Sequence, residues 1–392
     1  MNESLFYRYN PWWEEEFKTD ELIERKSVQD KINLSIKNKE IILITGIRRV
    51  GKTSIMKLTI RHLIEKEKID PSNIFYISLD DYLLSKYNII EIIEKYRKIK
   101  RIPFESKIYV FLDEVAYKKD FELQLKNLYD NQNIKIFATS SSVSILKSKK
   151  PYLTGRNVII EICPLDFEDF LVFRNKKITK RNAHLLGKYF EDFMQIGGIP
   201  EYVLRGNVEY LKELIDDIIK KDIVTFYGIK NPEILKDMFV LLMERAGKIM
   251  SINKIANILK ISPDSARRYL GMFEETYLIH TISRRGKTTE KIISPKKLYA
   301  SDLGIRNYFT GFRDKGSIFE NYVFLKIKNL NPEYILENGV EIDFITKNNI
   351  LMEVKYGLPM NKKQEFLFKH FKAKKKILIN GFEDLEYLNF SG

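Results

Sequence analysis

The chain has 392 residues, with 67 lysines and arginines against 53 aspartates and glutamates, a net charge of +14 and a pI near 9.3. That length exceeds what one hydrophobic core serves and calls for roughly two to four domains, which 44% hydrophobic residues can fill. The positive excess favours a polyanionic partner, nucleic acid ahead of a membrane surface, although it equally suits a Lys-rich background that keeps a protein soluble.

A single cysteine, Cys163, excludes a disulfide framework and a thiolate metal site. No apolar run approaches membrane-spanning length, and the acidic start at Glu3 and Glu14 to Glu16 does not read as a signal peptide. A cytoplasmic protein is expected, with no membrane partner. In chain order, residues 1–40 hold Asn10-Pro11-Trp12-Trp13 and an amphipathic helix around Val28 to Ile36. The tryptophan pair reads as core packing, with stacking beside a nucleotide base as the alternative. From Ile41, strand and helix signals alternate: strands at 41–45, 74–79, 108–112 and 134–138, helices at 52–67, 88–99 and 120–131. Such alternation predicts a parallel sheet flanked by helices.

Between the first strand and the first helix of that series lies Gly46-Ile47-Arg48-Arg49-Val50-Gly51-Lys52-Thr53, followed by Ser54. Strand, G-x-x-x-x-G-K-T, helix is the P-loop arrangement. Its glycines permit a tight turn whose backbone N–H groups converge on phosphate oxygens, and the helix N-terminus adds partial positive charge. Lys52 is expected on the β- and γ-phosphates and the Thr53 hydroxyl on Mg²⁺, making ATP and Mg²⁺ the expected ligands.

The strand Ile108-Tyr109-Val110-Phe111-Leu112 ends in Asp113-Glu114, the Walker B pattern. Asp113 helps to hold the metal and Glu114 polarises the attacking water. The next strand ends Thr139-Ser140-Ser141-Ser142, and Ser141 is the favoured sensor of the γ-phosphate, with Ser140 and Thr139 beside it. Leu153-Thr154-Gly155-Arg156 puts an arginine at a loop end. Two roles stay open for Arg156: a surface arginine, or one supplied to a neighbouring subunit's phosphates in a homo-oligomer.

These motifs, with Pro164-Leu165-Asp166-Phe167-Glu168-Asp169-Phe170 and Gly197-Gly198-Ile199-Pro200-Glu201, resemble the archaeal and bacterial AAA+-type ATPases that carry a DUF4143-type C-terminal region. The resemblance spans almost the whole chain. It differs at the sensor, where the family has Thr-Gly-Ser and this chain has Thr139-Ser140-Ser141. The Gly198-Ile199-Pro200 turn resembles the G-x-P turn of signalling (STAND-type) NTPases. That resemblance implies that Pro200 sets a helical lid against the nucleotide base.

Residues 164–245 read as that lid, with helices at Asp166 to Phe173, Asn182 to Ile196, Val208 to Thr225 and Pro232 to Arg245. Residues 251–282 look like a winged helix-turn-helix: a helix from Ser251, a turn at Lys260 to Pro263, then a helix capped by Ser262. Ala266, Leu270 and Phe273 form its buried stripe, leaving Ser265, Arg267, Arg268 and Tyr269 partly outward for a DNA groove. The wing, Ile279 to Ile293, carries Arg284, Arg285, Lys287 and Lys291 against Glu290, a phosphate-gripping composition. Protein docking is the competing role for such a module.

The last region holds Glu320 in an amphipathic helix, then Val340 to Ile345 and Ile350 to Lys355 as a hairpin turned at Asn348-Asn349. Asp343 lies on its first strand, and Glu353 and Lys355 share a face of the second. This resembles the PD-(D/E)xK nuclease signature, although its proline is missing and Glu341 stands nearby. The resemblance implies Asp343 and Glu353 as Mg²⁺ ligands, Lys355 as the nucleophile-positioning residue, Glu320 as auxiliary acid and Gln364 as a helper.

The expected architecture is therefore α/β. A P-loop NTPase parallel sheet core covers 1–163, a helical lid 164–245, a winged helix 246–304 and a restriction-endonuclease-like domain 305–392. The expected function is ATP hydrolysis coupled to DNA binding or Mg²⁺-dependent DNA cleavage, in genome maintenance or defence. The alternative is a nucleotide-switched DNA-binding or scaffolding protein with a retired nuclease fold.

Overall fold

The computed structural model describes residues 1–141 and 152–388. The chain divides into two compact units, Met1–Cys163 and Pro164–Gly392. Among the described residues no helix is long and apolar enough to cross a membrane.

The first unit is built on a five-stranded parallel sheet in the order β2-β3-β4-β1-β5. Its strands are β1 (Ile41–Thr45), β2 (Ile74–Ser78), β3 (Ile108–Asp113), β4 (Ile134–Ser140) and β5 (Asn157–Glu161). β1, β3 and β4 are buried at every position, as near-continuous apolar runs in a sheet covered on both faces must be. The helices Lys52–Glu65, Ile89–Lys100 and Phe121–Asn131 form the crossovers the alternation predicts. Trp12 and Trp13 both donate their indole N–H to Ile74 O at the sheet edge, 3.2 and 3.0 Å away. Trp13 also stacks on Tyr96 at 5.6 Å, so the pair is core packing.

The second unit begins with helices Phe167–Phe173, Leu186–Ile196, Pro200–Arg205, Glu209–Asp217 (continued by a π-turn to Thr225) and Pro232–Glu244. A three-stranded antiparallel sheet follows, ordered β6-β8-β7, from β6 (Lys248–Met250), β7 (Ile279–Ile282) and β8 (Lys296–Ala300). Helices Ile252–Leu259 and Pro263–Glu275 lie between β6 and β7. A second sheet, β12-β11-β10-β9, contains β9 (Glu333–Glu337), β10 (Val340–Ile345), β11 (Ile350–Val354) and β12 (Lys375–Ile379). One hydrophobic cluster, including Phe190, Tyr299, Phe319, Phe344 and Ile379, runs through the helices that open this unit and both sheets.

The turn Gly197-Gly198-Ile199-Pro200 is locked within this unit. A Cβ on Gly198 would lie 2.2 Å from Leu165 O, and Gly197 has φ +78. Both glycines abut Asp302, whose buried carboxylate accepts from Gly198 N at 2.6 Å and Ile305 N at 2.9 Å. Pro200 is the first residue of its helix, as fits its fixed φ and missing donor.

Gly198→Ala is expected to destabilise the protein by about 1–3 kcal/mol through that backbone overlap. Gly271→Ala, mid-helix with open space around its Cβ, is expected to stabilise it by about 0.5–1 kcal/mol. Urea unfolding compares the two. Burial pushes the Asp302 carboxyl up to about 6, from 3.8, against the pull of the Gly198, Ile305 and Gly304 N–H groups. The folded state thus holds its proton more tightly than the unfolded chain. The resulting stability is fully present below about pH 4 and lost as pH rises through about 6, a decline of about 3 kcal/mol. In urea midpoints measured across that window, Asp302→Asn is expected to flatten the slope.

Candidate functional site

β1 delivers the loop from Gly46 to Gly51 into helix Lys52–Glu65. Gly46 (φ +138) passes so close to Ile162 O that a Cβ would stand 2.2 Å from it, and Gly51 has φ +100. Arg49 between them is also left-handed, φ 63. This alternation of backbone hand turns successive N–H groups toward one hollow, an anion nest at a helix N-terminus. Ile47 and Val50 are buried in the core and so offer a ligand only their backbone. Arg48 is half-buried, Arg49 exposed, and Thr53 and Ser54 half-buried. The buried Lys52 ammonium donates to Gly46 O at 3.0 Å and Ile47 O at 3.2 Å.

Asp113 is the hub of a hydroxyl network. Its Oδ2 accepts from Thr53 Oγ1 at 2.6 Å and Tyr76 Oη at 2.8 Å, and its Oδ1 from Thr139 Oγ1. Thr53 and Asp113, the two groups expected to hold Mg²⁺, are therefore adjacent, and an all-oxygen donor set suits that ion. Glu114 takes a left-handed turn, φ 55, a conformation costing roughly 1–2 kcal/mol in a residue with a Cβ. Its amide donates to Thr139 Oγ1 at 2.9 Å. Its carboxylate accepts from Ser141 Oγ, 3.0 Å from each oxygen, and from Ser141 N at 3.3 Å. Burial raises the Glu114 pKa, opposed chiefly by the Lys52 charge. The hydroxyls at the end of β4 thus divide their work, Thr139 on Asp113 and Ser141 on Glu114, while Ser142 lies outside the described residues. Tyr76 escaped the sequence reading: only the sheet order, with β2 beside β3, brings its ring to Asp113.

Arg156 stands at the opposite end of the sheet, where its carbonyl accepts from Ile41 N at the start of β1. Its Nε pairs with Asp130 Oδ1 at 2.9 Å. One strand length separates it from its own P-loop.

In the second unit the candidate nuclease residues do converge. Glu353 on β11 is fully buried. Its Oε1 meets Lys355 Nζ at 2.7 Å and Gln364 Nε2 at 3.2 Å, and its Oε2 accepts from Asp343 N at 3.2 Å. Asp343 Oδ2 accepts from Val354 N at 2.9 Å. What the sequence reading missed is Lys297 of β8. Its Nζ lies 2.8 Å from Asp343 Oδ1, 2.7 Å from Glu320 Oε1 and 2.5 Å from Glu341 Oε1, with 1% of its side chain exposed. Tyr299 Oη donates to the same Glu320 oxygen at 2.7 Å. Two strand residues apart, Lys297 and Tyr299 share a face, and a lysine on the same strand face as an aromatic residue was the available signal. Burial would discharge Lys297, yet Asp343 and Glu320 hold its pKa well above the usual value; burial raises Glu320 and Glu353. Among the described residues no group of three or more His, Cys, Asp or Glu is arranged to hold a metal ion. As placed, Glu320, Asp343 and Glu353 do not fit the expected Mg²⁺ site, because an ammonium stands among the carboxylates.

The expected DNA-contacting residues separate. Arg267 and Arg268 are exposed on helix Pro263–Glu275. Arg267 pairs with Asp264 at 2.7 Å and Arg268 lies over the Tyr269 ring. Tyr269 itself is buried, contrary to its expected outward position, because it joins the stripe of Ala266, Leu270 and Phe273. The expected wing is not a free ribbon. Its far part is a helix, Thr288–Ile293, and residues 283–285 run along β9. Arg284 donates to Leu336 O at 2.6 Å, Arg285 pairs with Glu333 at 2.8 Å, and Lys291 pairs with the other Glu333 oxygen. These cations are occupied by the neighbouring sheet, whereas Lys287 is exposed.

Comparison with known proteins agrees with the first unit. Residues 38–171 match an AAA domain family, AAA_14. Residues 187–316 match a domain of unknown function, DUF8612, which is a different domain from the DUF4143-type region that the resemblance implied. Two solved structures, Caenorhabditis elegans PCH-2 and AMPPCP-bound DnaA from Aquifex aeolicus, align at 18% and 17% identity with TM-scores of 0.28 and 0.29. They cover 42% and 66% of this chain and 48% and 93% of their own. At such scores the fold assignment rests on the sheet order and the AAA match. An uncharacterised Haemophilus influenzae protein is 28% identical over 370 residues, 87% of this chain and 89% of that one. The uncharacterised protein MJ1544 of Methanocaldococcus jannaschii is 32% identical over 379 residues, 91% of this chain and 83% of that protein. With an AAA-type P-loop ATPase domain at its N-terminus, the chain belongs to the same family as MJ1544.

Proposed function

We propose that the protein hydrolyses ATP and that its nucleotide state governs DNA held on helix Pro263–Glu275. The observation carrying the catalytic half is the convergence of Lys52, Thr53, Asp113, Glu114 and Ser141 at the C-terminal ends of three parallel strands. Lys52 leaves the carbonyls of Gly46 and Ile47 for the β- and γ-phosphate oxygens, which bear full negative charge. Mg²⁺, when held by Thr53 and Asp113, neutralises charge on the same phosphates. Glu114 accepts a proton from water as the water oxygen bonds to the γ-phosphorus and the bond to the bridging oxygen breaks. Ser141 keeps the Glu114 carboxylate aimed, and Tyr76 and Thr139 orient Asp113. In a homo-oligomer Arg156 exchanges Asp130 for a neighbour's γ-phosphate.

The DNA half is supported by two exposed arginines on a helix entered through a Ser262 cap and by the net charge of +14. Cleavage at Asp343, Glu353 and Lys355 is a second reading, favoured by their convergence and opposed by Lys297 among the carboxylates.

Lys52→Ala is expected to abolish ATP turnover; full turnover in this variant would remove the assignment. Glu114→Gln is expected to keep nucleotide affinity while lowering kcat by about 10²–10⁴-fold. The paired substitution Arg267→Ala/Arg268→Ala is expected to weaken DNA binding and to reduce the salt slope by about 2, as two lost phosphate contacts would. Fluorescence anisotropy at several salt concentrations measures that slope, and an unchanged slope would assign DNA to another surface.

A further inference from the structure

We propose that Lys297 is the resident cation of the C-terminal carboxylate cluster, and that the cluster works without a metal ion. Glu320, Glu341 and Asp343 come from a helix and a neighbouring strand, yet all three meet at one ammonium. Such a burial of Lys297 is unfavourable without charged partners, and these three supply them. The remaining oxygens of Asp343 and Glu353 are not idle. Asp343 Oδ2 accepts from Val354 N, and both oxygens of Glu353 are met by Lys355, Gln364 and the Asp343 amide.

A divalent ion must therefore displace a lysine tethered to β8, whose effective concentration in the cluster is high because it is part of the same chain. Mg²⁺ also surrenders its waters reluctantly and demands near-octahedral oxygen geometry. Lys297 asks for neither. The ammonium also joins β8, helix Lys315–Ile327 and β10, so one charge binds the three-stranded sheet to the four-stranded sheet. The inference stands apart from DNA binding, since it concerns only what balances this cluster.

The test is Mn²⁺ binding to the full nucleotide-free chain by electron paramagnetic resonance, with thermal unfolding in Mg²⁺, Mn²⁺ and EDTA. The wild-type protein is expected to show no Mn²⁺ site that Asp343→Asn removes, and a Tm that shifts by less than about 1 °C between metal and EDTA. Lys297→Met is expected to lower the Tm in EDTA and to regain part of it in Mn²⁺, because a cation then fills the vacated place. A stoichiometric wild-type Mn²⁺ site lost in Asp343→Asn overturns the proposal, as does a folded Lys297→Met whose Tm ignores Mn²⁺. Should Lys297→Met not fold, the wild-type titration decides alone. Loss of DNA affinity in the Arg267/Arg268 variant leaves this result untouched, so the two ideas fail separately.

Discussion

A charge taken out of water has to be answered inside the protein, and that constraint organises both clusters in this chain. Lys52, Asp113, Lys297, Asp343 and Glu353 are all buried, and each has its partners within hydrogen-bond reach. The kind of partner differs between the two places. Lys52 donates to backbone carbonyls, neutral acceptors that a triphosphate outcompetes. Lys297 sits among carboxylates, whose attraction at the same distance is far stronger. The first arrangement is ready to exchange its partners for a ligand; the second is already closed.

The parallel sheet explains why the first cluster assembles at all. With β4 between β1 and β3, the loop after β1, the acids after β3 and the hydroxyls after β4 emerge side by side. Asp113 then collects three hydroxyls from three elements, while the left-handed turn at Glu114 brings its carboxylate to Ser141. Arg156, at the other end of the sheet, is excluded from this site by the same geometry.

In the second unit, polar tethers do what hydrophobic packing alone would leave loose. Asp302 holds the Gly197-Gly198 turn through the Gly198 amide, and residues 283–285 run along β9 with Arg284 and Arg285 fastened to it. The expected division of 164–392 into three domains therefore corresponds to three stretches that share one hydrophobic cluster.

Much of the first unit was legible in the sequence, because its information is local. The G-x-x-x-x-G-K-T loop, the apolar strand ending in Asp113-Glu114 and the strand and helix alternation each lie within a few consecutive residues. The pairing of Asp343 with Glu353 and Lys355 was legible for the same reason, a hairpin with period-two faces. Lys297, Tyr299, Tyr76 and the docked wing were not, since their partners lie 21 to 52 residues away along the chain. A lysine in a short strand does not name its own partners; only the meeting of that strand with a helix and a second sheet decided that its charge would be buried among carboxylates. Sequence determined which groups carry the chemistry, and tertiary packing decided which of them are left able to take a ligand, because only packing sets how far each charge lies from the next and from water.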